Sequence, residues 1–182
     1  MKISVFSDSH KDFNMLKRAF ELESDSKLFI HLGDGEFEFQ DLKNENPGKQ
    51  FVFIKGNCDY GDYKSENVIT VGNYKMLCVH GHTKNVHDGL DALVAAAKLN
   101  DCKIALYGHT HVYKTEIIDG VYVMNPGSIS APRGHNPPTF GVIDIDIDGN
   151  VNMKIVELKR EPGEGEPEII STDTTNLPEL AE

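Results

Sequence analysis

Apolar residues in the first third of the chain form short strand-like runs and one helical repeat. Residues 2–7, 27–34 and 50–57 are apolar runs that end in polar residues or glycine, which predicts three buried strands. Residues 12–23 carry apolar side chains three and four positions apart, which predicts an amphipathic helix with Asp12 as its N-cap. This alternation of strands and helix favours a parallel sheet with helical crossovers.

Strands dominate the second half of the chain. Residues 67–71 and 74–82 predict a hairpin, a helix is expected over residues 86–99, and Asp119-Gly120 predicts a turn between two later strands. The later predicted strands span 102–109, 114–119, 121–125, 140–147 and 151–158. We therefore expect this half to be antiparallel. Two sheets packed face to face, with helices outside, would accommodate both halves.

The periodic pattern ends near residue 160. Residues 161–182 are acidic, rich in Pro and Gly and mostly without periodicity, which predicts a flexible C-terminal tail. The chain of 182 residues is long enough for one domain with a sizeable core. We therefore predict a single domain over residues 1–160, followed by the tail.

Charge and cysteine content narrow the functional classes. A formal net charge of -11 disfavours bulk binding of nucleic acid or an anionic membrane, although bound metal ions would still attract a phosphate. Cys58, Cys78 and Cys102 are scattered and form no C-x-x-C motif, which indicates a reducing compartment rather than a disulfide framework. No run of residues is typical of a signal peptide or a membrane span, so the expected location is the cytoplasm.

Five predicted strands end in side chains that bind divalent metals. These side chains are Asp8, His10, Asp34, Asn57, Asp59, His80, His82, His109 and His111. Functional groups of α/β sheets gather at the carboxyl ends of strands, and mixed oxygen and imidazole donors suit Mn²⁺, Fe²⁺ or Zn²⁺. A single strand-end histidine is usually only hydrogen-bonded, but five such motifs together predict a metal site. By contrast, His31 is interpreted as a core strand residue and His87 as a helix-start residue.

The ordered motifs D-x-H, G-D, G-N-x-D, H and G-H-x-H resemble those of the calcineurin-like metallophosphoesterase superfamily. Within it, the chain is similar to the small bacterial and archaeal phosphodiesterases without a capping domain. The resemblance runs from about residue 3 to about residue 158, and residues 125–133 look like a further block of this subgroup. It implies the α/β metallo-dependent phosphatase fold, a four-layer αββα sandwich of two packed mixed β-sheets flanked by helices.

The resemblance also implies two divalent metal ions, with Mn²⁺ the first choice and Ni²⁺, Fe²⁺ or Zn²⁺ as alternatives. By position, one ion would be held by Asp8, His10 and His111, the other by Asn57, His80 and His109, and Asp34 would bridge both. The implied reaction is in-line attack on phosphorus by a hydroxide that bridges the ions, without a phospho-enzyme.

The chain departs from many relatives at Cys58, where a histidine is expected to protonate the leaving oxygen. A thiol is a poor match for that role, so esters with good leaving groups would be favoured. His82 is a candidate substitute donor or a support for a metal ligand. Asp59 would orient its neighbour, or instead hydrogen-bond loop amides or a metal-ligand histidine. Cys58 and Arg133 are candidate substrate contacts, with an exposed surface role as the alternative for Arg133.

The sequence therefore predicts a metal-dependent phosphoric ester hydrolase, a phosphodiesterase acting on small, nucleotide-like diesters. The alternative is a metal-binding scaffold for protein interactions on the same fold, with weak or no catalysis. A homodimer is expected because small domains with exposed sheet edges commonly form one. The H-x-H-x-D-H run of metallo-β-lactamases and the glycine motifs of P-loop and Rossmann proteins are absent.

Overall fold

Two mixed β-sheets form the centre of the fold, and helices cover their outer faces. The computed structural model describes residues 1–134, 136–159 and 168–175. The strands are β1 (Lys2–Phe6), β2 (Leu28–His31), β3 (Gln50–Phe53), β4 (Glu66–Val71), β5 (Tyr74–Val79), β6 (Ile104–Leu106), β7 (Lys114–Ile118), β8 (Val121–Asn125), β9 (Thr139–Ile145), β10 (Val151–Glu157) and β11 (Ile169–Thr175). The helices are α1 (Phe13–Leu22), α2 (Glu36–Glu45) and α3 (Asp91–Leu99), and a 3-10 helix spans His82–Lys84.

Each sheet combines parallel and antiparallel pairs. The first sheet has the order β11-β10-β9-β1-β2-β3, in which β1, β2 and β3 are parallel and the other neighbours are antiparallel. The second has the order β4-β5-β6-β8-β7, in which β5, β6 and β8 are parallel and the two edge strands are antiparallel. The carboxyl ends of both sets of parallel strands supply the loops described below.

Side-chain alternation along the strands separates three apolar layers. In β1, Ile3 and Val5 point into the core between the sheets, while Phe6 points to the opposite face and packs among side chains of α1 and α2. Helix α3 packs on the outer face of the second sheet, against residues such as Leu77 and Val123. These layers confirm the predicted four-layer αββα sandwich.

The first helix begins as its sequence predicts. The Asp12 carboxylate accepts a hydrogen bond of 3.1 Å from the Met15 N–H, which satisfies one of the unpaired donors at a helix start. Met15, Leu16 and Phe20 are buried against the first sheet, as their spacing predicts. The helix therefore anchors the loop of residues 7–11, which carries two of the candidate ligands.

Three predicted elements need correction. Helix α2 was not predicted, because Phe39 and Leu42 are its only buried apolar residues and their spacing is too short a signal. Helix α3 begins at Asp91 rather than at residue 86, after turns that include Gly89 with a φ of 152°. The second half is not wholly antiparallel, since β5, β6 and β8 run parallel.

The predicted tail also needs correction over part of its length. Ile169–Thr175 form β11, which pairs antiparallel with β10 and adds an edge to the first sheet. Residues 161–167 and 176–182 of the predicted tail lie outside the described residues. Among the helices that the structure describes, none combines the length and the apolar character needed to cross a bilayer.

Candidate metal centre

The predicted ligands converge where the carboxyl ends of parallel strands from both sheets meet. Asp8, Asp34 and Asn57 follow β1, β2 and β3, and His80, His109 and His111 follow β5 and β6. Five of the loop residues have positive φ angles of 40° to 67°, namely Asp8, His10, Asp34, His109 and His111. Left-handed backbone is unfavourable for residues other than glycine, and such strain is concentrated at functional sites.

One group of ligands is arranged around the buried Asp8 carboxylate. Its Oδ2 atom accepts hydrogen bonds from the Ser7 hydroxyl at 2.6 Å and from the His109 N–H at 3.0 Å. Its Oδ1 atom is buried and has no hydrogen-bond partner among the described residues. This oxygen lies 3.1 Å from His111 Nε2 and 3.8 Å from His10 Nε2. A buried carboxylate oxygen without a donor requires a proton or a cation to compensate it.

The tautomer of His111 explains why a cation fits between these atoms. Its Nδ1–H donates to the Ala131 carbonyl oxygen at 2.6 Å, so the neutral ring presents a lone pair at Nε2. That lone pair faces Asp8 Oδ1, and His10 Nε2 lies 3.2 Å away. In the metal-free protein, burial disfavours the charged imidazole, but the Asp8 carboxylate outweighs it and raises the pKa of His111.

A second group of ligands surrounds His80. Its Nδ1–H donates to the Leu32 carbonyl oxygen at 2.7 Å, which leaves Nε2 as a lone-pair donor. His80 Nε2 lies 3.1 Å from Asn57 Oδ1, 3.5 Å from Asp34 Oδ2 and 4.0 Å from Asp8 Oδ1. The ring centres of His80 and His109 are 5.0 Å apart. Asn57 therefore offers a neutral oxygen beside an imidazole and a carboxylate.

Asp34 and His80 in the second group shift each other's pKa values. Burial opposes ionisation of Asp34, but hydrogen bonding and charge from His80 outweigh it, so the pKa of Asp34 is lowered. His80 is affected in the opposite sense, because Asp34 and Asp8 overcome burial and raise its pKa. Burial, followed by the charge of His80, lowers the pKa of His109 to about 4, so its imidazole is neutral and able to bind a metal.

The two groups together have the composition of a divalent metal centre. The ligand atoms of Asp8, His10 and His111 lie within 4.8 Å of one another, and so do those of Asp8, Asp34 and His80. Carboxylate, amide and imidazole donors suit Mn²⁺, Fe²⁺, Ni²⁺ and Zn²⁺. The residues therefore fit divalent cations, and the unpartnered Asp8 oxygen faces both groups.

The profile of the calcineurin-like phosphoesterase superfamily domain matches residues 1–148. The chain belongs to this superfamily. A probable metallophosphoesterase of Bacillus subtilis, YsnB, is 31% identical over 153 residues, covering 81% of this chain and 86% of YsnB. The phosphodiesterase MJ0936 of Methanocaldococcus jannaschii is 29% identical over 163 residues, covering 80% of this chain and 94% of MJ0936.

A solved structure extends the comparison to the fold. A conserved uncharacterized protein of Streptococcus pneumoniae, described as a predicted phosphoesterase, superimposes with a TM-score of 0.78. It is 26% identical, and the alignment covers 96% of this chain and 97% of that chain. These comparisons confirm the predicted superfamily, its fold and the class of metal-dependent phosphoester hydrolase for this chain.

Asp59 organises the loops of this superfamily member. Its Oδ2 atom accepts the N–H groups of Asp34 and Gly56 at 2.8 and 2.7 Å, and its Oδ1 atom accepts those of Gly35 and Glu36, both at 3.0 Å. Four backbone donors saturate a carboxylate that is itself buried. The geometry makes Asp59 a residue that positions Asp34 and the start of α2.

Cys58 lies at the edge of the centre with an exposed side chain. Its N–H donates to Asp34 Oδ1 at 2.7 Å, and its sulfur atom lies within 4.8 Å of ligand atoms of His10 and Asp34. Partial burial and the neighbouring Asp34 carboxylate raise the pKa of the Cys58 thiol to about 11. The group is therefore a neutral thiol at neutral pH in the metal-free protein.

His82 and Arg133 lie beside the two ligand groups. The His82 ring centre is 5.4 Å from that of His80, and its Nδ1 atom is buried without a hydrogen-bond partner among the described residues. Burial, followed by the charge of His80, lowers the pKa of His82. The backbone N–H of Arg133 donates to the His111 carbonyl oxygen at 3.1 Å. The positive charge of the Arg133 side chain opposes protonation of the His111 imidazole and so acts to lower its pKa.

Two residues that support this centre were not predicted from the sequence. His87, interpreted as a helix-start residue, lies in a turn with its ring centre 4.9 Å from that of His109. Glu38 is buried and accepts hydrogen bonds from the Ser9 hydroxyl at 2.8 Å and the Lys11 N–H at 2.7 Å. Neither has a local sequence signal, because each is brought to the centre by tertiary packing.

Proposed function

We propose that the chain is a dinuclear-metal phosphodiesterase that hydrolyses small, nucleotide-like phosphodiesters. The observation that carries this proposal is the buried Asp8 Oδ1 atom, which faces imidazole nitrogens of both ligand groups without a donor among the described residues. A carboxylate in this environment is expected to bind cations. Mn²⁺ is the preferred ion in this proposal, with Ni²⁺, Fe²⁺ and Zn²⁺ as alternatives.

In this proposal the ligands divide between two ions. Asp8, His10 and His111 would hold the first, Asn57, His80 and His109 would hold the second, and Asp34 would bridge them. The distances of 3.1 Å from His111 Nε2 to Asp8 Oδ1 and from His80 Nε2 to Asn57 Oδ1 support this division. When bound, two such ions supply a nucleophile at neutral pH and clamp phosphoryl oxygens during in-line displacement.

The charge of the ligand set favours an anionic phosphodiester. Two divalent cations would face the two carboxylates of Asp8 and Asp34, because the imidazoles and the Asn57 amide are neutral when they bind a metal. The centre would therefore keep net positive charge for a phosphate. Arg133, whose charge acts on His111, is positioned to add to this attraction at the same edge.

The residue at the proposed proton-donor position favours esters with good leaving groups. A neutral thiol stands at Cys58, so the leaving oxygen receives little help from a proton donor at this position. His82, with its buried and unpartnered Nδ1, is the candidate replacement donor or a support for His80. The phosphodiesterase MJ0936 is a relative over most of this chain.

Hydrolysis of matched esters tests the proposal. We expect metal-dependent turnover of bis(4-nitrophenyl) phosphate well above that of 4-nitrophenyl phosphate with Mn²⁺, Ni²⁺ or Zn²⁺. Asp34→Asn and His109→Ala should each abolish most of this turnover, while the exposed Asp62→Asn serves as the matched acidic control. Absence of metal-dependent turnover on both esters would refute the enzyme and favour the alternative, a metal-binding scaffold for protein interactions.

We also infer a cytoplasmic location, a homodimer and no bulk binding of nucleic acid. The free cysteines are in keeping with the reducing cytoplasm, and the net charge of -11 disfavours nucleic acid. Sedimentation equilibrium would test the dimer directly.

A further inference from the structure

A cleft opens beside the candidate metal centre, between the start of α2 and the loop that follows β3. Its volume is about 120 Å³, and its lining includes His10, Asp34 and Cys58. Ligand atoms of these three residues lie within 4.8 Å of one another. The cleft is therefore continuous with the position where a phosphoryl group would meet the metal ions.

Two exposed aromatic side chains line this cleft. Phe37 is 63% exposed and Tyr60 is 86% exposed, and both contribute to the cleft wall. Phe37 belongs to α2, but the buried apolar residues of that helix are Phe39 and Leu42, so Phe37 makes no core contact that accounts for it. Among the described residues, Phe37 and Tyr60 are the only phenylalanine or tyrosine side chains with large exposure.

Hydrogen bonds fix the backbone that carries these two rings. The Glu36 carboxylate accepts the N–H groups of Tyr60 and Gly61, both at 2.8 Å, and Asp59 accepts the Glu36 N–H at 3.0 Å. The start of α2 and the loop after β3 are thereby joined directly. A site whose backbone is ordered before binding loses less entropy when a ligand enters.

The charge of the cleft restricts what the rings would bind. Glu36, Glu38 and Asp59 line it with carboxylates, each of which already accepts hydrogen bonds from backbone N–H groups. Lys11 contributes a positive charge to the same wall. Because the wall is predominantly acidic, an ester group with a further negative charge would be repelled, while an uncharged group would be tolerated.

We propose that Phe37 and Tyr60 form an aromatic subsite for the planar, uncharged ester group of the substrate, an aryl group or a nucleoside base. This inference rests on the proposed function, since the phosphoryl group must lie beside His10, Asp34 and Cys58. Aromatic side chains stack on bases with little dependence on base identity, so the same pair of rings could receive an aryl group or a nucleoside base. The two residues determine substrate specificity rather than the chemical step.

Binding of two phosphodiesters of matched charge tests the subsite. Diphenyl phosphate and diethyl phosphate each carry one negative charge and differ in their ester groups. We expect the Mn²⁺-loaded protein to bind diphenyl phosphate at least about fivefold more tightly by calorimetry, as expected for one stacked ring. Phe37→Ala combined with Tyr60→Ala should remove this preference, and Tyr60→Phe should retain it.

Kinetics and controls separate this proposal from the proposed function. In the alanine variants, KM for bis(4-nitrophenyl) phosphate should rise about fivefold or more with little change in kcat, because uniform binding is lost. Leu99→Ala is the matched control, since Leu99 is 86% exposed on α3. An unchanged preference for diphenyl phosphate in the double variant would overturn the subsite, whether or not any ester is hydrolysed. The proposed function alone would be overturned if the wild-type protein hydrolysed neither ester but still preferred diphenyl phosphate, and the double variant lost that preference.

A charged analogue gives an independent test of the acidic wall. A carboxylate on the ring of diphenyl phosphate should weaken binding several-fold in the wild-type protein. Glu36→Gln should reduce this penalty, and its amide oxygen can still accept the N–H groups of Tyr60 and Gly61, which share one acceptor atom in the wild-type protein. Equal or tighter binding of the carboxylated analogue would contradict the proposed preference for an uncharged group.

Discussion

Asp59→Asn should destabilise the fold although it replaces only one side-chain oxygen by an NH₂ group. The wild-type carboxylate accepts two N–H groups at each oxygen, from Asp34 and Gly56 at Oδ2 and from Gly35 and Glu36 at Oδ1. In either orientation of the asparagine amide, its NH₂ group would face two backbone donors. Two buried N–H groups therefore lose their acceptor.

The magnitude follows from the number of lost hydrogen bonds. A hydrogen bond to a charged group contributes about 1.5 to 3 kcal/mol, so the loss of two predicts a destabilisation of about 3 to 6 kcal/mol. That range is a large part of the stability of a domain, which is commonly about 5 to 15 kcal/mol. The variant should also bind metal more weakly, because the displaced backbone carries Asp34.

Urea denaturation of the metal-free protein, followed by circular dichroism, measures this effect. Asp62→Asn is the control, since Asp62 is an exposed acidic residue in the same loop. Its free energy of unfolding should change by no more than about 0.5 kcal/mol. A change below about 1 kcal/mol for Asp59→Asn, equivalent to a neutral hydrogen bond, would refute the assigned role of the carboxylate.

Three further predictions follow from other parts of the centre. Cys58→His should raise turnover of esters with poor leaving groups relative to 4-nitrophenyl esters, and an unchanged or lower ratio would count against Cys58 as the proton-donor position. Burial disfavours charge on His80 and His111, but neighbouring carboxylates raise both pKa values above 6.5, so Mn²⁺ binding should release protons and weaken as pH falls. Calorimetry in buffers of different ionisation enthalpy measures this, and no proton release near neutral pH would contradict it. In Gly35→Ala, the new Cβ would overlap the buried Ser9 hydroxyl group, so the urea midpoint should fall by an amount equivalent to about 1 to 3 kcal/mol. Gly48→Ala is the control, because nothing lies near its new Cβ. Equal midpoints for the two variants would contradict this packing.

Much of the centre was predictable because its ligands follow strands whose apolar runs are easy to recognise. Asp8, Asp34 and His80 each stand just beyond a strand end, and their residue types restrict the chemistry to metal binding or hydrogen bonding. Parallel strands place their carboxyl ends at one edge, so the order of motifs predicts convergence. The distances between Asp8, Asp34 and His80 agree with that expectation.

The unpredicted features depend on contacts between distant parts of the chain. The four hydrogen bonds of Asp59 and the approach of His87 to His109 arise from loop conformations that no local periodicity encodes. Helix α2 buries too few apolar residues to give a clear repeat. Strand β11 depends on pairing with β10, and strand propensity depends on context more than helix propensity does.

The stoichiometry of bound metal tests the central claim most directly. Equilibrium dialysis of the wild-type chain against saturating Mn²⁺, followed by elemental analysis, should give two ions per chain. Asp34→Asn, which alters the proposed bridging carboxylate, should retain no more than one at the same free Mn²⁺ concentration. One ion or none in the wild-type protein would contradict the dinuclear centre.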